Sequence, residues 1–356
     1  MTTASNPAVA SGPISAIIPA PAGKSRRIAI AGALVLLLAI VAIAVYFLIA
    51  PKSGKATGPA FVNTAITKLT STGRAIGAMI SPDGKYVAYI VAEAGTQGLW
   101  MRQTSTSSNV QVVAPDEGGF VGTTFSPDGV YLYFVKGDKG ATIRSLFQVP
   151  VLGGSPRKLI EDVDSAITFS PDGKRFAFVR GSRAESMLII VNADGSNEQK
   201  LAAYKQPDTF LQPAWSPDGK VIAVSTRKLT GGFRWEVVAV QVTDGSEKTV
   251  NTQKWLQIGG IAWLGDGSAL ILSAADQTPG ARLMQLWLLP YPVGQARKIT
   301  NDLNNYASVS LSGDSSSIVT VQSDTVSNLW VAPGGHGSSY RFPAARLERQ
   351  GHRRFS

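Results

Sequence analysis

Short apolar segments alternate with polar turns along most of the chain, and the same arrangement returns roughly every 45 residues. In each unit an apolar segment ends at a tight polar turn, and a second apolar segment begins just after it. The first copy has Ala78–Ile80 before the turn Ser81–Gly84 and Tyr86–Tyr89 after it. Short alternating segments on both sides of a turn predict a β-hairpin. The chain is therefore predicted to contain a series of repeated hairpins.

The turn sequence, Ser-Pro-Asp-Gly, makes the repeat recognisable. Proline presets φ near −65° at the first corner, aspartate accepts a backbone hydrogen bond, and glycine supplies a positive φ. Four copies are complete, and two later copies have Gly265 and Gly313 where the proline would stand. The structural turn residues are Asp83, Gly84, Asp128, Gly129, Asp172, Gly173, Asp218, Gly219, Asp266, Gly267 and Asp314.

Two more candidate strands follow each of the earlier hairpins. In the first unit the third strand holds Leu99-Trp100 and the fourth ends near Val112-Val113. Four strands in about 45 residues is the size of one β-propeller blade. We therefore predict an all-β fold, a six-bladed β-propeller with four-stranded blades over residues 64–333.

An extra strand before the first hairpin bears on how the ring closes. The segment 64–69 resembles a fourth strand, whereas the last unit ends at a third strand, Leu329–Val331. The early strand is predicted to complete the last blade, because closure removes exposed sheet edges. The segment Ser338–Phe342 is the competing closing strand.

The ends of the chain differ from the repeats. Ile28–Ala50 is an uncharged apolar run of 23 residues. As a helix it would span roughly 34 Å, enough for a bilayer core of about 30 Å. A run of this length favours an uncleaved transmembrane helix over a signal peptide. Around it we predict a disordered tail at 1–27, a linker at 51–63, and a basic disordered tail or truncated end at 334–356.

The flanking charges predict an orientation for this helix. Lys24, Arg26 and Arg27 precede it, and Lys52 and Lys55 follow it. The positive-inside rule then favours a cytoplasmic N-terminus. We expect a single-pass protein of the inner (cytoplasmic) membrane, with the propeller in the periplasm or outside the cell.

Net charge and composition exclude several classes of function. The formal charge is +10, but residues 1–60 carry +5 and residues 334–356 carry +4, which leaves +1 for the repeats. A nearly neutral domain does not indicate nucleic-acid binding. The absence of cysteine excludes disulfides and thiolate chemistry.

The repeats contain no recognisable catalytic pattern. Both histidines, His336 and His352, come after the repeats, so a Ser-His-Asp triad has no base there. Hydrolase, dinucleotide-binding and kinase signatures are missing. The repeated aspartates are assigned to turns, because an oxygen cage for a metal needs several acids at one point. We expect no enzyme activity, no catalytic residues, no cofactor and no metal.

The tryptophans fall into two sets. Trp235 and Trp255 are out of phase with the repeat and lie near predicted loops, so they are better candidates for exposed aromatic contacts than the other tryptophans. The others recur in phase with the strands and are predicted to pack within blades; they are Trp100, Trp215, Trp263, Trp287 and Trp330.

A candidate partner-binding surface lies opposite the repeated turns. The connections from one unit to the next converge there, at the mouth of a propeller channel, and they hold only three bases, Arg74, Lys205 and Lys254. Convergent acids attract cationic ligands. We therefore predict that a protein or peptide partner binds at this mouth, either a basic peptide or a positively charged envelope component. The acidic residues in these connections are Asp116, Glu117, Glu161, Asp162, Asp164, Asp208 and Asp302.

The combination of features resembles a known family. The Ser-Pro-Asp-Gly-Lys turn at 81–85, the Leu-Trp third strand and the Arg-Lys-Leu close at 157–159 resemble the TolB-type, WD40-like propeller repeat of bacteria. With the preceding helix, the chain resembles the membrane-anchored propeller region of bacterial transmembrane serine/threonine kinases, without the kinase domain. The resemblance implies a protein-interaction or ligand-sensing module. The alternatives are a TolB-like periplasmic envelope scaffold and a propeller accessory of a prolyl-oligopeptidase-type peptidase.

Overall fold

The computed structural model describes residues 67–278 and 283–324, which consist of β-strands and loops. The prediction of an all-β fold is thus confirmed for these residues. None of them belongs to a helix long and apolar enough to cross a membrane. The predicted anchor at 28–50, the linker at 51–63 and the tail at 334–356 lie outside the described ranges.

The first three sheets are antiparallel, and each has four strands that follow one another in space as in the chain. This arrangement is the one that the repeat predicts. Sheet 1 has β1 (Ala75–Ile80), β2 (Tyr86–Glu93), β3 (Thr96–Gln103) and β4 (Asn109–Asp116); sheet 2 has β5 (Gly119–Phe125), β6 (Tyr131–Gly137), β7 (Ser145–Pro150) and β8 (Arg157–Glu161); sheet 3 has β9 (Thr168–Phe169), β10 (Arg175–Gly181), β11 (Glu185–Asn192) and β12 (Gln199–Lys205).

Sheets 4 and 5 repeat the pattern and are joined by a single ladder pair, Trp235 with Trp255. Sheet 4 has β13 (Thr209–Trp215), β14 (Val221–Lys228), β15 (Arg234–Gln241) and β16 (Glu247–Thr249); sheet 5 has β17 (Trp255–Trp263), β18 (Ala269–Asp276), β19 (Gln285–Pro290) and β20 (Arg297–Lys298).

The last unit forms a hairpin whose two strands pair at two separate places, with unpaired residues between them. Its inner pair is β22 (Ser310–Leu311) with β23 (Ile318–Val319), and its outer pair is β21 (Asn305–Tyr306) with β24 (Gln322–Ser323). The predicted third strand at 329–331 falls outside the described residues. Residues 67–69 of the predicted closing segment carry no strand assignment, and 64–66 are outside the described ranges.

The repeated turns are held by the chemistry that their sequence predicts. The Ser81 hydroxyl donates to Asp83 Oδ1 at 2.7 Å, and the Lys85 N–H donates to the same oxygen at 3.1 Å. These two bonds hold the pKa of Asp83 below its usual range. Gly84 completes the turn with φ +74°, a conformation that suits glycine. Hydroxyl bonds of the same kind join Ser126 to Asp128, Ser170 to Asp172, Ser216 to Asp218 and Ser312 to Asp314.

The hydrophobic core lies between neighbouring sheets. Between sheets 2 and 3, for example, Tyr133 and Leu146 pack with Phe176 and Phe178. Similar clusters of buried side chains pack between sheets 1 and 2, between sheets 3 and 4, and between sheets 4 and 5. Sheets packed face to face in chain order are the arrangement of propeller blades.

Trp255, one of the two candidates for an exposed aromatic contact, is a core residue. Trp255 is fully buried and meets the Trp287 ring edge-on, with centroids 5.0 Å apart, and Trp235 packs against the same cluster. The register of β17 shifts between Trp255 and Gln257 and again between Ile258 and Gly260. Each shift changes which side chains face inward. The out-of-phase position in sequence therefore becomes a core position.

The first strands of successive units are bonded to one another. Thr124 Oγ1 donates to the Ile167 carbonyl at 2.7 Å, and the Trp215 N–H donates to Thr168 Oγ1 at 2.9 Å. The last hairpin returns to the first sheet, because the Ile80 N–H donates to Ser310 Oγ at 3.1 Å. The first strands of the units thus lie next to one another in chain order, and the first strand of the last hairpin lies next to β1.

Antiparallel order divides the loops between two faces. The turn face carries the Ser-Pro-Asp-Gly turns and the loops from third to fourth strands. The other face, here called the crossover face, carries the loops from second to third strands and the connections from each sheet to the next. β1 begins on the crossover face, because it runs toward the turn at Ser81–Gly84.

Candidate interaction face

All seven acidic residues of the predicted binding surface lie in connections of the crossover face. Asp116 and Glu161 end β4 and β8, and Asp302 lies between β20 and β21. The others are in the same connections or, for Asp208, between β12 and β13. The structure therefore assigns these side chains to one face. It also gives most of them basic partners.

Two ion pairs join the sheet 1–2 connection to the end of β6. Asp116 pairs with Lys136, and Glu117 pairs with Lys139 at 2.8 Å. Burial opposes ionisation of Asp116, but Lys136 and the Gly118 N–H together hold its pKa below the usual range. Both acids are therefore compensated by bases from the neighbouring sheet.

The sheet 2–3 connection is paired in the same way. Asp164 accepts from Arg144 at 3.0 Å and from the Gly181 N–H at 2.8 Å. Arg180 lies 3.5 Å from the Asp162 carboxylate and donates to the Asp162 carbonyl at 2.7 Å. Glu161 pairs with Lys158 at 3.0 Å within its own strand.

Asp208 has the least exposed environment of the set. Its Oδ1 accepts from the backbone N–H groups of Leu229 and Thr230 at 2.8 and 3.0 Å, and Lys228 lies 3.9 Å from its other oxygen. Lys228 Nζ also sits 3.0 Å from the centroid of the Tyr204 ring. Burial lowers the pKa of Lys228. Burial opposes ionisation of Asp208, but the two N–H bonds and Lys228 outweigh it and lower the pKa.

Asp302 is held by hydrogen bonds within its own connection. Its carboxylate accepts from the Tyr306 hydroxyl at 2.7 Å and from the Asn304 N–H at 3.0 Å. The Tyr306 bond is the main reason why the pKa of Asp302 lies below its usual range. This carboxylate therefore also has a structural role.

The sequence-based count of charges missed the bases that pair with these acids. The count used only the connections between units, where three bases occur. The partners come instead from the ends of second strands and the loops after them, which share the crossover face. A basic residue at the end of the second strand recurs as Lys136, Arg180 and Lys228, and this was the available signal. We call the paired acids and bases of sheets 1–3 the ion-pair belt: Asp116–Lys136, Glu117–Lys139, Lys158–Glu161, Arg144–Asp164 and Arg180–Asp162.

Comparisons with solved structures show the same fold. TolB from Acinetobacter baumannii superposes with a TM-score of 0.55 at 15% identity, covering 67% of this chain and 58% of that one. A putative TolB from Agrobacterium tumefaciens gives 0.53 at 19% identity, covering 65% and 83%. An oligogalacturonate lyase from Vibrio parahaemolyticus gives 0.50 at 15% identity, covering 71% and 75%. At such identities the likeness shows the fold alone.

Sequence comparison identifies the family. No curated protein matches the chain. Residues 63–253 match the family model for the TolB beta propeller domain, and this match covers more than half of the chain. The four complete Ser-Pro-Asp-Gly turns and sheets 1–4 lie within the matched region. The chain therefore belongs to the TolB β-propeller family.

Proposed function

We propose that this chain is a membrane-anchored, six-bladed β-propeller without catalytic activity that binds a protein partner outside the cytoplasm. In this proposal it is the sensor part of a receptor-kinase-like protein. The blade count is supported by the succession of first strands from β1 to β22, which contacts β1 again through Ser310 and Ile80. The anchor is supported by the apolar run at 28–50.

The ion-pair belt is the observation that carries the proposed binding role. Connections from successive sheets present oriented carboxylates on one face, 51% exposed for Asp116, 60% for Glu117 and 47% for Asp162. Exposed ion pairs contribute about 0–1 kcal/mol each, so a partner can exchange them at small cost. We infer that charged groups of the partner replace one member of several pairs. Recognition then depends on the spacing of the pairs more than on net charge.

The test uses the full chain and a triple variant, Asp116→Asn, Glu161→Gln and Asp164→Asn. We expect the triple variant to lose partner binding about tenfold, since three exchanged contacts of about 0.5 kcal/mol each give that factor. Binding is measured by pull-down from envelope extracts and then with the purified partner. Higher salt should weaken the binding of the unchanged chain.

A control on the turn face separates recognition from folding. Asp194→Asn and Asp244→Asn also change carboxylates that accept backbone N–H bonds, from Ser196 and Ser246, both at 2.9 Å. We expect this double variant to bind the partner normally. Equal recovery by all three proteins, or equal loss from both variants, would argue against the belt as the binding surface.

A second candidate function is a TolB-like envelope scaffold, which the structural similarity to TolB favours. The identity of the captured partner separates the two proposals. A partner among envelope structural proteins favours the scaffold. A kinase domain encoded in frame with the propeller favours the sensor.

A further inference from the structure

The half of the crossover face away from the ion-pair belt carries large exposed apolar side chains. Leu229 and Phe233 lie in the loop between β14 and β15, and Phe233 is 52% exposed. Leu303, in the connection from sheet 5 to the last hairpin, is 92% exposed. We call this set the apolar crest: Leu229, Phe233, Leu256, Leu283 and Leu303.

Backbone pairing brings the segments that carry the first part of the crest next to each other. The loop that contains Leu229 and Phe233 is closed by the Gly232 N–H, which donates to the Leu229 carbonyl at 3.2 Å. Trp235, two residues after Phe233, pairs with Trp255, and this brings Leu256 beside the loop. The crest therefore extends from sheet 4 to sheet 5.

The same kind of pairing continues the crest to the last hairpin. Trp255 pairs with Asp276 at the end of β18, the strand that precedes Leu283 in the chain. The Met284 N–H donates to Asn305 Oδ1 at 2.8 Å, which brings the Leu303 connection alongside. The crest residues thus belong to neighbouring segments of sheet 4, sheet 5 and the last hairpin.

Positive charge remains beside the crest. Lys254 is two residues from Leu256, and Lys205 and Arg183 lie on the crossover face of sheet 3; all three are exposed. Three nearby acids are paired with bases, Asp208 with Lys228, Glu236 with Arg234 and Asp276 with Lys298. Asp302 is bonded to the Tyr306 hydroxyl, and Asp324, after β24, is exposed. Among the described ion pairs none includes Arg183, Lys205 or Lys254. Apolar loop tips beside exposed bases suit an anionic membrane surface, where each base contributes about 1 kcal/mol.

The path of the chain favours the same occupant. β1 begins at Ala75 on the crossover face. The proposed anchor at 28–50 precedes β1 by 24 residues of sequence, and the chain enters the propeller from this face. This step rests on the proposed anchor, whereas the chemistry of the crest does not.

We propose that the apolar crest docks on an anionic lipid bilayer. Leu303, Phe233 and their apolar neighbours enter the headgroup region, while Lys205, Lys254 and Arg183 face lipid phosphates. The ion-pair belt, on the other half of the face, stays in water and accessible to a protein partner.

The test places one fluorescent probe on the full chain in lipid vesicles. Because the chain has no cysteine, Leu303→Cys provides a single labelling site for an environment-sensitive dye. The protein is reconstituted in phosphatidylcholine–phosphatidylglycerol vesicles that contain acyl-chain spin-labelled lipid as a quencher. We expect a blue-shifted emission and several-fold stronger quenching than for the control. Omitting phosphatidylglycerol, or changing Lys205 and Lys254 to Glu, should reduce the quenching.

The matched control is Leu152→Cys on the turn face. Leu152 is also 92% exposed, and it too has an exposed apolar neighbour, Val130, so a response to apolar surroundings alone would appear at both sites. Equal quenching at the two sites would overturn the proposal, as would a water-like probe at 303. A blue shift at 303 without lipid quenching would also overturn it, because a protein segment would then cover the crest.

A failure of the crest to dock can be distinguished from a failure of the proposed anchor or of partner binding. Retention of the full chain in vesicles after alkaline carbonate extraction tests the anchor without using the probe. The triple variant of the belt tests partner binding without using lipid. Quenching at 303 alone decides the docking of the crest.

Discussion

Gly122→Val is expected to destabilise the propeller by about 3 kcal/mol, whereas Gly119→Val in the same strand should change its stability little. A Cβ at Gly122 would lie 2.5 Å from the Ala166 Cβ and 3.0 Å from the Ala166 Cα, in the connection that leads into β9. The Ala166 backbone cannot turn away as a long side chain can. A Cβ at Gly119 would have no heavy atom within 4 Å. The contrast isolates the close contact between neighbouring first strands.

Urea unfolding of the two variants measures this effect. A compensating pair strengthens the test: Gly122→Ala alone should destabilise, and adding Ala166→Gly should recover part of the loss because it removes the opposing methyl group. Equal unfolding midpoints for the two valine variants would contradict the close packing of sheets 2 and 3 at this point.

Asp208→Ala is also expected to cost about 3 kcal/mol, the lower end of the range for breaking a buried ion pair. The Asp208 and Lys228 side chains are only 16% and 14% exposed. The change leaves Lys228 without its carboxylate and two backbone N–H groups without their acceptor. Asp208→Asn keeps an acceptor and should cost less. Adding Lys228→Met to Asp208→Ala should recover stability, because the unpaired charge is then removed.

The pH dependence of the same variants gives an independent check. The folded-state pKa of Asp208 is lowered, so its contribution is fully present above its unfolded pKa near 3.9 and is lost as pH falls through the folded pKa. The difference in unfolding free energy between the unchanged chain and Asp208→Asn should therefore shrink below about pH 4. A difference that stays constant from neutral to acidic pH would contradict this role of the charge.

The fold could be predicted from the sequence because its signals are local. The Ser-Pro-Asp-Gly turn carries its own hydrogen bonds, as between Ser81 and Asp83, and it fixes where each hairpin begins and ends. Alternation of apolar residues then identifies the strands. In the last unit Ser315 replaces the turn glycine and has φ +58°, and the pairing of that hairpin is interrupted.

The candidate site was less predictable because it depends on residues brought together by folding. Asp164 meets Arg144 and Gly181 only because sheets 2 and 3 are neighbours. The apolar crest could not be predicted from the sequence either, because Phe233 and Leu303 look there like ordinary apolar positions. Their exposure is set by loops whose lengths and turns do not follow the repeat.

An engineered disulfide between the first and last repeated turns tests whether the last hairpin closes a ring with the first sheet. A Cβ at Gly84 would lie 3.8 Å from the Ser312 Cβ, the usual separation in a disulfide. The positive φ at Gly84 costs a cysteine there about 1–2 kcal/mol, which a stable domain tolerates. Gly84→Cys with Ser216→Cys, which joins the turns of sheets 1 and 4, is the control. We predict that mild oxidation forms an intramolecular disulfide in the 84/312 variant and none in the 84/216 variant, as read by mass spectrometry of the monomer. Absence of the 84–312 disulfide, or equal cross-linking in both variants, would contradict the closed ring.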